Sequence, residues 1–475
     1  MGLRLFNTLT RQLDEFKPVK GKIVRMYNCG PTVYSHIHIG NFRAYVFADI
    51  LRRYLEYKGL EVRQVVNITD VGHLTSDDDE GEDKMLVAAK KEKKDPYEIS
   101  KFYTEKFMED IKKLNIQPAY KYPRATGHVK EMIEINKALE EKGFAYFKGG
   151  NLYFDTSKFD GYGKLSKFDL EALREGRRVC EDPNKKSFND FVLWFTKSKF
   201  TGHMMQWDSP WGKGYPGWHI ECSAMAMKYL STAFDGGKFD ADKFETIDIH
   251  TGGEDNMFPH HECEIAQTEA ATGKKFSNFW MHVKFLIVEG KKMSKSLGNF
   301  YVLSDLEKYD PLEVRYVLFG THYRQQLNFT FDGLDAARKS LGRLRGFMAR
   351  LDEMNGDDEF DAEPYVKKFE DAMDDDLNVS AALAAVFEMM KEVNKLNLKD
   401  GSNVKGAMLK FDKVLALDLG VSSSLDADVE EKIKAREKAR AEKDWATADK
   451  IRDEIKALGV ILEDSETGTR WTKIK

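Results

Sequence analysis

The chain has 475 residues, enough for roughly three domains at about 150 residues each. Hydrophobic residues make up 42% and charged residues 32%, with 35 Gly and 11 Pro, which excludes a mostly disordered or collagen-like chain. The formal net charge is −5, from 74 basic and 79 acidic side chains, so a polyanion would have to bind to a local basic surface.

The cysteine count and the hydropathy pattern predict where the protein works. Four cysteines are too few for a disulfide scaffold in a chain of this length, and they indicate a reducing, cytoplasmic compartment. No apolar run approaches the ~18 residues of a membrane span, so we expect no membrane partner. The N-terminal stretch carries charges where a signal peptide has an apolar segment.

The first elements predict a βαβ unit. Residues 22–30 form a short apolar strand, and a helical pattern follows the turn His38-Ile39-Gly40-Asn41. Residues 61–70 then read as a second buried strand. Strand, glycine-containing turn, helix and strand in this order are typical of a parallel sheet.

An insertion is expected to divide this sheet domain. Amphipathic helices are predicted near 97–114 and 124–142, and residues 146–215 are richer in Gly, Pro, Trp and short apolar alternations. The sheet resumes with residues 218–222, which run into a helix, and with a strand at 245–253.

A helix, a strand and a polar loop follow. Residues 258–273 predict a helix, because Pro259 suits a first turn and Gly273 suits an end. Residues 280–290 predict one strand, and residues 291–300 predict a loop.

The pattern is then helical from about residue 303 almost to residue 458, with breaks at 355–358 and 422–428. In the last helix, one apolar face is predicted from helical spacing. Its members are Trp445, Ala448, Ile451, Ile455 and Leu458. A short strand and the basic-aromatic end Thr469-Arg470-Trp471 complete what looks like a small separate module.

Two motifs suit phosphate chemistry. The helix N-terminus at His38 offers free N–H groups to a phosphate, although a turn histidine without a role fits this string equally well. Lys292 and Lys295 lie in a loop with two hydroxyls and Gly298, so they could stabilise charge on a nucleotide, although Lys-rich exposed loops are common. The occurrence of both motifs, each after a strand, favours a nucleotide site.

Metal-ligating side chains are scattered along the chain. His260 and Glu264 lie four residues apart on a predicted helix, so they point the same way, although a surface pair fits that spacing as well. With Cys29 and Cys222 they make a plausible tetrahedral zinc set, although Cys29 taken alone is better explained as a buried strand cysteine. We expect Cys180 and Cys263 not to bind zinc.

Taken in order, these strings resemble the signatures of cysteinyl-tRNA synthetases, a family of class I aminoacyl-tRNA synthetases. The resemblance extends over essentially the whole chain. It rests on residues 27–34, 38–41, 67–70, 209–212, 217–225, 258–262, 292–299 and 468–471.

The resemblance implies roles for individual residues. The zinc ligands would be Cys29, Cys222, His260 and Glu264. ATP would be bound by His38, Gly40, Asn41, Gly253, Asp255 and Lys295, and the catalytic residues would be His38, Lys292 and Lys295. Cysteine would be bound by Cys29, Thr69, Trp211 and His250.

The resemblance also implies the architecture. It is an α/β fold, with a class I Rossmann-like parallel sheet domain, an inserted domain, an α-helical C-terminal region and a small terminal module. The expected divisions are the first catalytic half (1–122), the inserted connective domain (123–215), the second catalytic half (216–263), a stem-contact region (264–332), a helical bundle (333–422) and an anticodon-binding module (423–475).

The implied reaction activates cysteine with MgATP to cysteinyl-adenylate and transfers it to the 3′ end of tRNA(Cys), with one zinc ion per chain selecting the thiolate. The partners would be tRNA(Cys), cysteine and ATP, and the enzyme would be a monomer.

Two departures from the family pattern are visible. Asn41 stands where the signature usually has His, which predicts modest rather than lost activity, and residues 229–248 form a longer segment expected to be a surface loop.

Two other functions fit part of the pattern. A ligase that joins cysteine to an amino sugar would share the zinc site and both signatures, but it would not need the long C-terminal region. A catalytically inactive tRNA-binding paralogue would be expected to lack His38, Lys295 or a metal ligand, and all of these are present.

Overall fold

The computed structural model describes residues 2–72, 84–168, 182–197, 205–354, 360–396, 401–420, 427–458, 460–465 and 468–473. Cys180, the predicted break at 355–358 and most of the predicted break at 422–428 lie outside these residues.

The helices of the described residues are α1 (Ile39–Tyr57), α2 (Lys84–Glu92), α3 (Pro96–Lys113), α4 (Val129–Glu141), α5 (Trp218–Leu230), α6 (His260–Thr272), α7 (Pro311–Gly320), α8 (Phe331–Asp352), α9 (Glu363–Asp374), α10 (Val379–Lys395), α11 (Ser402–Leu415), α12 (Ala427–Ala441) and α13 (Trp445–Ala457).

The strands are β1 (Arg4–Asn7), β2 (Gln12–Glu15), β3 (Ile23–Asn28), β4 (Glu61–Val66), β5 (Ala145–Lys148), β6 (Asn151–Phe154), β7 (Phe191–Phe195), β8 (Tyr215–Pro216), β9 (Phe234–Asp235), β10 (Lys238–Phe239), β11 (Ile247–Gly253), β12 (Ser277–Val283), β13 (Leu286–Val288), β14 (Lys291–Lys292), β15 (Leu327–Phe329), β16 (Val460–Ser465) and β17 (Gly468–Lys473).

A parallel sheet with the order β12-β11-β3-β4 lies at the centre of the molecule. From β3 the chain moves outward to β4 on one side, and from β11 it moves outward to β12 on the other. The order therefore reverses between β3 and β11, and crevices at the carboxyl ends of such neighbouring strands are where α/β sheets bind ligands. The predicted domain division after residue 263 falls inside α6, and β12 beyond it pairs with β11.

The first helix has a clear start signal and one buried side. His38 is the N-cap of α1, and its Nδ1 accepts a hydrogen bond from the Asn41 backbone N–H at 3.3 Å. Phe42, Val46 and Ile50 recur at helical spacing and are fully or almost fully buried. This face belongs to the same core as Val24 and Met26 of β3.

The inserted segment forms an antiparallel sheet with the order β5-β6-β7-β8. Side chains from it share a core with α4, α5 and α6. The segment 229–248, expected to be a surface loop, contains the hairpin β9–β10. Its tip is exposed, but Ala233 and Phe244 at its base are 0% and 1% exposed, so the base of the segment belongs to the core.

The predicted single strand at 280–290 is two strands in different sheets. β12 ends at Val283 in the central sheet, and β13 pairs with β14 and β15 in a separate small sheet. The short strand β15 likewise interrupts the predicted helical region. The reason is tertiary, because β15 adds to β13 in parallel from a distant part of the chain.

The helical region α7–α11 shares one continuous core with the central sheet and α1. The final module has its own small core. The predicted apolar face of α13 is only partly correct: Ala448 and Ile455 are buried, whereas Trp445 and Leu458 are 57% and 53% exposed. The strand β16 contributes Val460 and Leu462 to this core. Among the described residues, no helix is long and apolar enough to cross a membrane.

Candidate active site

The site begins where β3 ends. Cys29 directly follows the last residue of β3, and a side chain at Gly30 would overlap the carbonyl oxygen of Asn67. The Gly30 N–H also donates to Asn67 Oδ1 at 2.7 Å. Glycine therefore lets the exits of β3 and β4 approach each other, which fixes the direction in which Cys29 leaves the sheet.

Cys29, Cys222, His260 and Glu264 form a cluster in which every pair of potential ligand atoms lies within 4.8 Å. Cys222 comes from the second turn of α5, and His260 and Glu264 come from the first turns of α6. The His260 Nε2 and Glu264 Oε1 atoms are 3.1 Å apart. Two thiols, an imidazole and a carboxylate are donor types that suit zinc.

Neighbouring side chains orient two of these groups. The Nδ1 atoms of His219 and His260 are 2.9 Å apart, so the opposite ring nitrogen of His260 faces the cluster. The second carboxylate oxygen of Glu264 lies 3.0 Å from His250 Nε2. Such outer hydrogen bonds are what orients the ligands of metal sites.

Burial shifts the protonation of the groups in the cluster. Burial raises the pKa of the Cys29 and Cys222 thiols and raises the pKa of Glu264 well above its usual value. Without a cation these groups would therefore be held in their neutral forms. A divalent ion at the cluster would reverse that preference, because a coordinated thiol is deprotonated. The donor set and its burial therefore fit a metal ion.

A row of histidines behind the cluster was not singled out by the sequence. His261 Nε2 lies 3.1 Å from Cys29 Sγ, and His261 Nδ1 lies 2.8 Å from His282 Nε2. His282 Nδ1 is in turn 2.8 Å from the hydroxyl of Thr8. His261, His250, Cys29 and Glu264 also make a second possible ligand set. The sequence signal that could have indicated this row is that His250 and His282 both lie on apolar strands, and the structure shows that these strands are neighbours in the sheet.

The two signature motifs meet at the first turn of α1. The rings of His38 and Phe300 are 4.9 Å apart, and Lys295 Nζ lies 5.1 Å from the centre of the same Phe300 ring. A Cβ atom at Gly40 would be 3.2 Å from Met293 Cε and 2.9 Å from the His38 imidazole. Glycine at position 40 therefore permits the close approach of the loop to the helix.

His38 is held in its neutral form. Burial, together with the nearby Lys295 ammonium group, lowers the pKa of His38 from 6.5 to about 4. Near pH 7 the ring can therefore donate one hydrogen bond without carrying a charge. Lys292 and Lys295 are exposed, so the positive charge of the site comes from the loop.

The other predicted residues come from three different parts of the fold. Thr69 is buried beside the segment after Cys29, with its carbonyl accepting from Val33 N–H at 3.1 Å. Gly253 ends β11, and Asp255 is exposed in the turn that follows. Trp211 is half-buried beside the inserted sheet, and its indole donates to Glu140 at 2.9 Å.

Cys263 differs from the cluster cysteines. It lies on α6 between His260 and Glu264, is fully buried, and its sulfur is 3.5 Å from the hydroxyl of Tyr162. It belongs to neither possible ligand set among the described residues.

Comparisons with known proteins assign the fold and the activity. Residues 15–339 match the class I (C) tRNA synthetase catalytic domain, residues 368–419 match the DALR domain, and residues 422–471 match the cysteinyl-tRNA ligase anticodon binding domain. The cysteine–tRNA ligase of Chlorobaculum tepidum is 43% identical over 100% of this chain and 99% of its own length. The chain belongs to the cysteine–tRNA ligase family. Its activity is accordingly the ATP-dependent joining of cysteine to tRNA.

Two other relatives are similar over the same full length of the chain. The cysteine–tRNA ligases of Treponema denticola and Thermococcus onnurineus are 42% and 41% identical, each over 100% of this chain and 100% of the relative.

Solved structures confirm the predicted class I fold. Mycobacterium tuberculosis methionyl-tRNA synthetase with methionyl-adenylate has a TM-score of 0.60 and 15% identity, covering 84% of this chain and 90% of that one. An Agrobacterium radiobacter LeuRS–tRNA–LeuAMS complex has a TM-score of 0.59 and 13% identity, covering 86% of each chain.

The alternative functions are not favoured. An amino-sugar ligase does not account for the match of residues 422–471 to the anticodon binding domain. The full-length similarity to cysteine–tRNA ligases likewise does not favour an inactive paralogue.

Proposed function

We propose that the ligase holds one zinc ion on Cys29, Cys222, His260 and Glu264 and uses it to select cysteine. The observation that carries this proposal is the clustering of these four donors at the carboxyl edge of the central sheet. When bound there, zinc would take the substrate sulfur as a thiolate ligand.

The proposal explains discrimination against serine. Serine has nearly the same shape as cysteine, and pocket shape separates such near-isosteres by only about 1–3 kcal/mol. Cys29 is half-buried whereas the other three side chains are buried, so a substrate is expected to reach the cluster past Cys29. His250, which is fully buried, would hold Glu264 in place during this approach. Thr69 and Trp211 are proposed to complete the cysteine pocket.

ATP is proposed to lie between the first turn of α1 and the Lys292–Ser296 loop. His38 would donate to a phosphate oxygen, while Lys292 and Lys295 would neutralise charge that develops on the phosphates. Gly40 and Asn41 present backbone at the helix N-terminus. Gly253 and Asp255, at the end of β11, would approach the ribose, and Mg²⁺ would accompany ATP as part of the substrate.

The reaction then needs no nucleophile from the protein. The cysteine carboxylate attacks the α-phosphate of ATP, and pyrophosphate leaves with the electron pair of the broken P–O bond. A terminal ribose hydroxyl of tRNA(Cys) next attacks the carbonyl carbon of the adenylate, and AMP leaves. The contribution of His38 and Lys295 is to position the phosphates and to stabilise charge.

The remaining predictions stay proposals. We propose that residues 123–215 act as the connective domain, that 264–332 contact the acceptor stem and that 423–475 read the anticodon. Three free thiols, Cys29, Cys222 and Cys263, favour action in the reducing cytoplasm, and we propose that the enzyme works there as a monomer.

Metal analysis combined with cysteine-dependent ATP–pyrophosphate exchange tests the proposal. We expect one zinc ion per chain and exchange that responds to cysteine but not to serine. Absence of exchange from zinc-loaded enzyme would contradict the proposed chemistry.

An exposed tryptophan in the terminal module predicts an RNA contact. Trp445 is 57% exposed, and the Arg440 guanidinium lies 6.0 Å from its ring centre. Stacking of an unpaired base on an aromatic ring contributes about 1–3 kcal/mol, so Trp445→Ala should lower kcat/KM for tRNA roughly 5- to 150-fold. Cysteine-dependent pyrophosphate exchange should not change.

Leu458→Ala is the matched control, because Leu458 is 53% exposed at the other end of the same helix but has no aromatic ring. Equal effects of both substitutions on aminoacylation would argue against stacking on Trp445.

A further inference from the structure

The Lys292–Ser296 loop is carried by the small sheet β14-β13-β15 and not by the central sheet. β13 and β14 form an antiparallel hairpin that runs directly into the loop. The position of the loop relative to His38 therefore depends on how this small sheet is attached to α1.

Arg43, one turn into α1, makes that attachment. Its side chain is almost completely buried, with 1% of the residue exposed. Nη1 donates to the carbonyl oxygens of Lys284 and Phe285 at 2.6 and 3.1 Å. Nη2 donates to the carbonyl oxygens of His322 and Gln325 at 3.2 and 2.6 Å. One guanidinium thus joins the helix to the segments that enter β13 and β15.

The first turn of α1 holds the other end of the loop. The Ile39 N–H donates to the carbonyl oxygen of Tyr301 at 3.0 Å. His38 contacts Phe300, and Gly40 faces Met293. Residues 286–299 are consequently attached to α1 before and after the loop, and Arg43 supplies the attachment on the side of the small sheet.

The geometry of this contact requires a guanidinium. Its planar fork presents donors in two directions at once, whereas a lysine ammonium group is a single compact centre. A lysine at position 43 would keep the charge but could not reach both entry segments with the same geometry. Carbonyl groups left unpaired in this buried region would favour movement of the strands.

We propose that Arg43 is a positioning residue for adenylate formation. By fixing the small sheet to α1, it sets the distance between Lys295 and His38. This inference rests on the proposed phosphate role of those two residues. It assigns Arg43 no contact with ATP, cysteine or tRNA.

The test compares Arg43→Lys with Arg315→Lys. Arg315 is a matched control because it is also buried, with 0% of the residue exposed, and also contacts α1, where it donates to Asp49 at 2.6 Å. Like Arg43 it donates to a backbone carbonyl, that of Leu415 at 2.9 Å. Unlike Arg43, it does not join α1 to the small sheet. Misplacement by about 1 Å can cost about 100-fold in rate, so we expect Arg43→Lys to lower kcat of pyrophosphate exchange about 10- to 100-fold. The KM for cysteine should not change. Arg315→Lys should leave both parameters within about twofold of the unsubstituted enzyme when assayed well below its unfolding temperature.

A second measurement reports on the loop itself. Amide hydrogen exchange of residues 286–299 in the free enzyme should become faster in Arg43→Lys and stay unchanged in Arg315→Lys. Three results would overturn the proposal. They are an equal loss of pyrophosphate-exchange activity in Arg43→Lys and Arg315→Lys, a rise in the KM for cysteine without a fall in kcat in Arg43→Lys, and unchanged hydrogen-exchange protection of residues 286–299 in Arg43→Lys.

Arg43→Ala, assayed with and without added methylguanidinium, extends the test to a guanidinium that is not attached to the chain. Arg43 lines a cavity together with Phe47, His322 and Tyr323, so removal of its side chain would enlarge a space that already exists. Restored loop protection together with restored kcat supports the proposal, and restored protection without restored kcat overturns it. If Lys295→Ala leaves adenylate formation unchanged, the phosphate proposal fails, while the hydrogen-exchange result still reports whether Arg43 tethers the loop.

Discussion

Cys222→Ser is expected to remove the bound zinc and the cysteine-dependent pyrophosphate exchange together. The hydroxyl of serine is protonated near pH 7 and is a poor ligand for a metal that prefers thiolate. Loss of an outer-shell partner alone costs about 10- to 100-fold in metal affinity, so loss of a direct ligand should cost at least about 100-fold. Metal content by mass spectrometry and cysteine binding by calorimetry measure the two effects separately.

Cys263→Ser is the matched control for this substitution. The change is chemically the same, and Cys263 is also fully buried on the helix that carries His260 and Glu264. We expect Cys263→Ser to keep its zinc and its cysteine affinity. Retention of one zinc ion and normal cysteine activation by Cys222→Ser would remove Cys222 from the site.

Lys295→Ala is expected to slow adenylate formation about 100- to 1,000-fold, the cost typical of removing one preorganised electrostatic contact to a transition state. The KM for cysteine should change little, because the Lys295 ammonium group lies at the His38 end of α1, whereas the proposed thiol site is the cluster at Cys29. Single-turnover measurement of adenylate formation, followed separately by transfer to tRNA, distinguishes the two steps.

Lys291→Ala is the appropriate comparison for Lys295→Ala. Lys291 is also exposed and lies in β14, immediately before the loop. Its removal changes the net charge equally, so a similar loss in both variants would indicate a general charge effect. If Lys295→Ala impairs only the transfer step, the proposed phosphate role is incorrect.

Local sequence patterns were sufficient for much of the central sheet. The apolar run before Cys29 predicted β3, and the turn at 38–41 with the periodic apolar positions after it predicted α1. Proline and glycine likewise placed the ends of α6 to within two residues. Such features depend on neighbouring residues and backbone propensity, so they can be read without knowledge of the fold.

The burial of individual side chains was predicted less well, because it depends on elements that are distant in the sequence. Trp445 has the correct helical spacing for a core residue, but it is 57% exposed, because the small core of the module forms around Ile455 at the other end of the helix. Phe244 was assigned to a surface loop and is buried. Periodicity identifies a face of a helix, but it does not say how much of that face another element will cover.

The sequence by itself determined most elements of the central sheet, the order of the motifs and the chemical types of the candidate donors. The four donors of the proposed zinc set came from family resemblance. Only the tertiary structure decided that Cys29 and Cys222 approach each other, that His261 and His282 stand behind them, and that Arg43 joins α1 to the small sheet. The physical reason is that strand order and helix packing bring residues together across large sequence separations. The net charge of −5 is also insufficient to locate an RNA-binding surface, because a sum over the chain does not give the positions of the basic side chains.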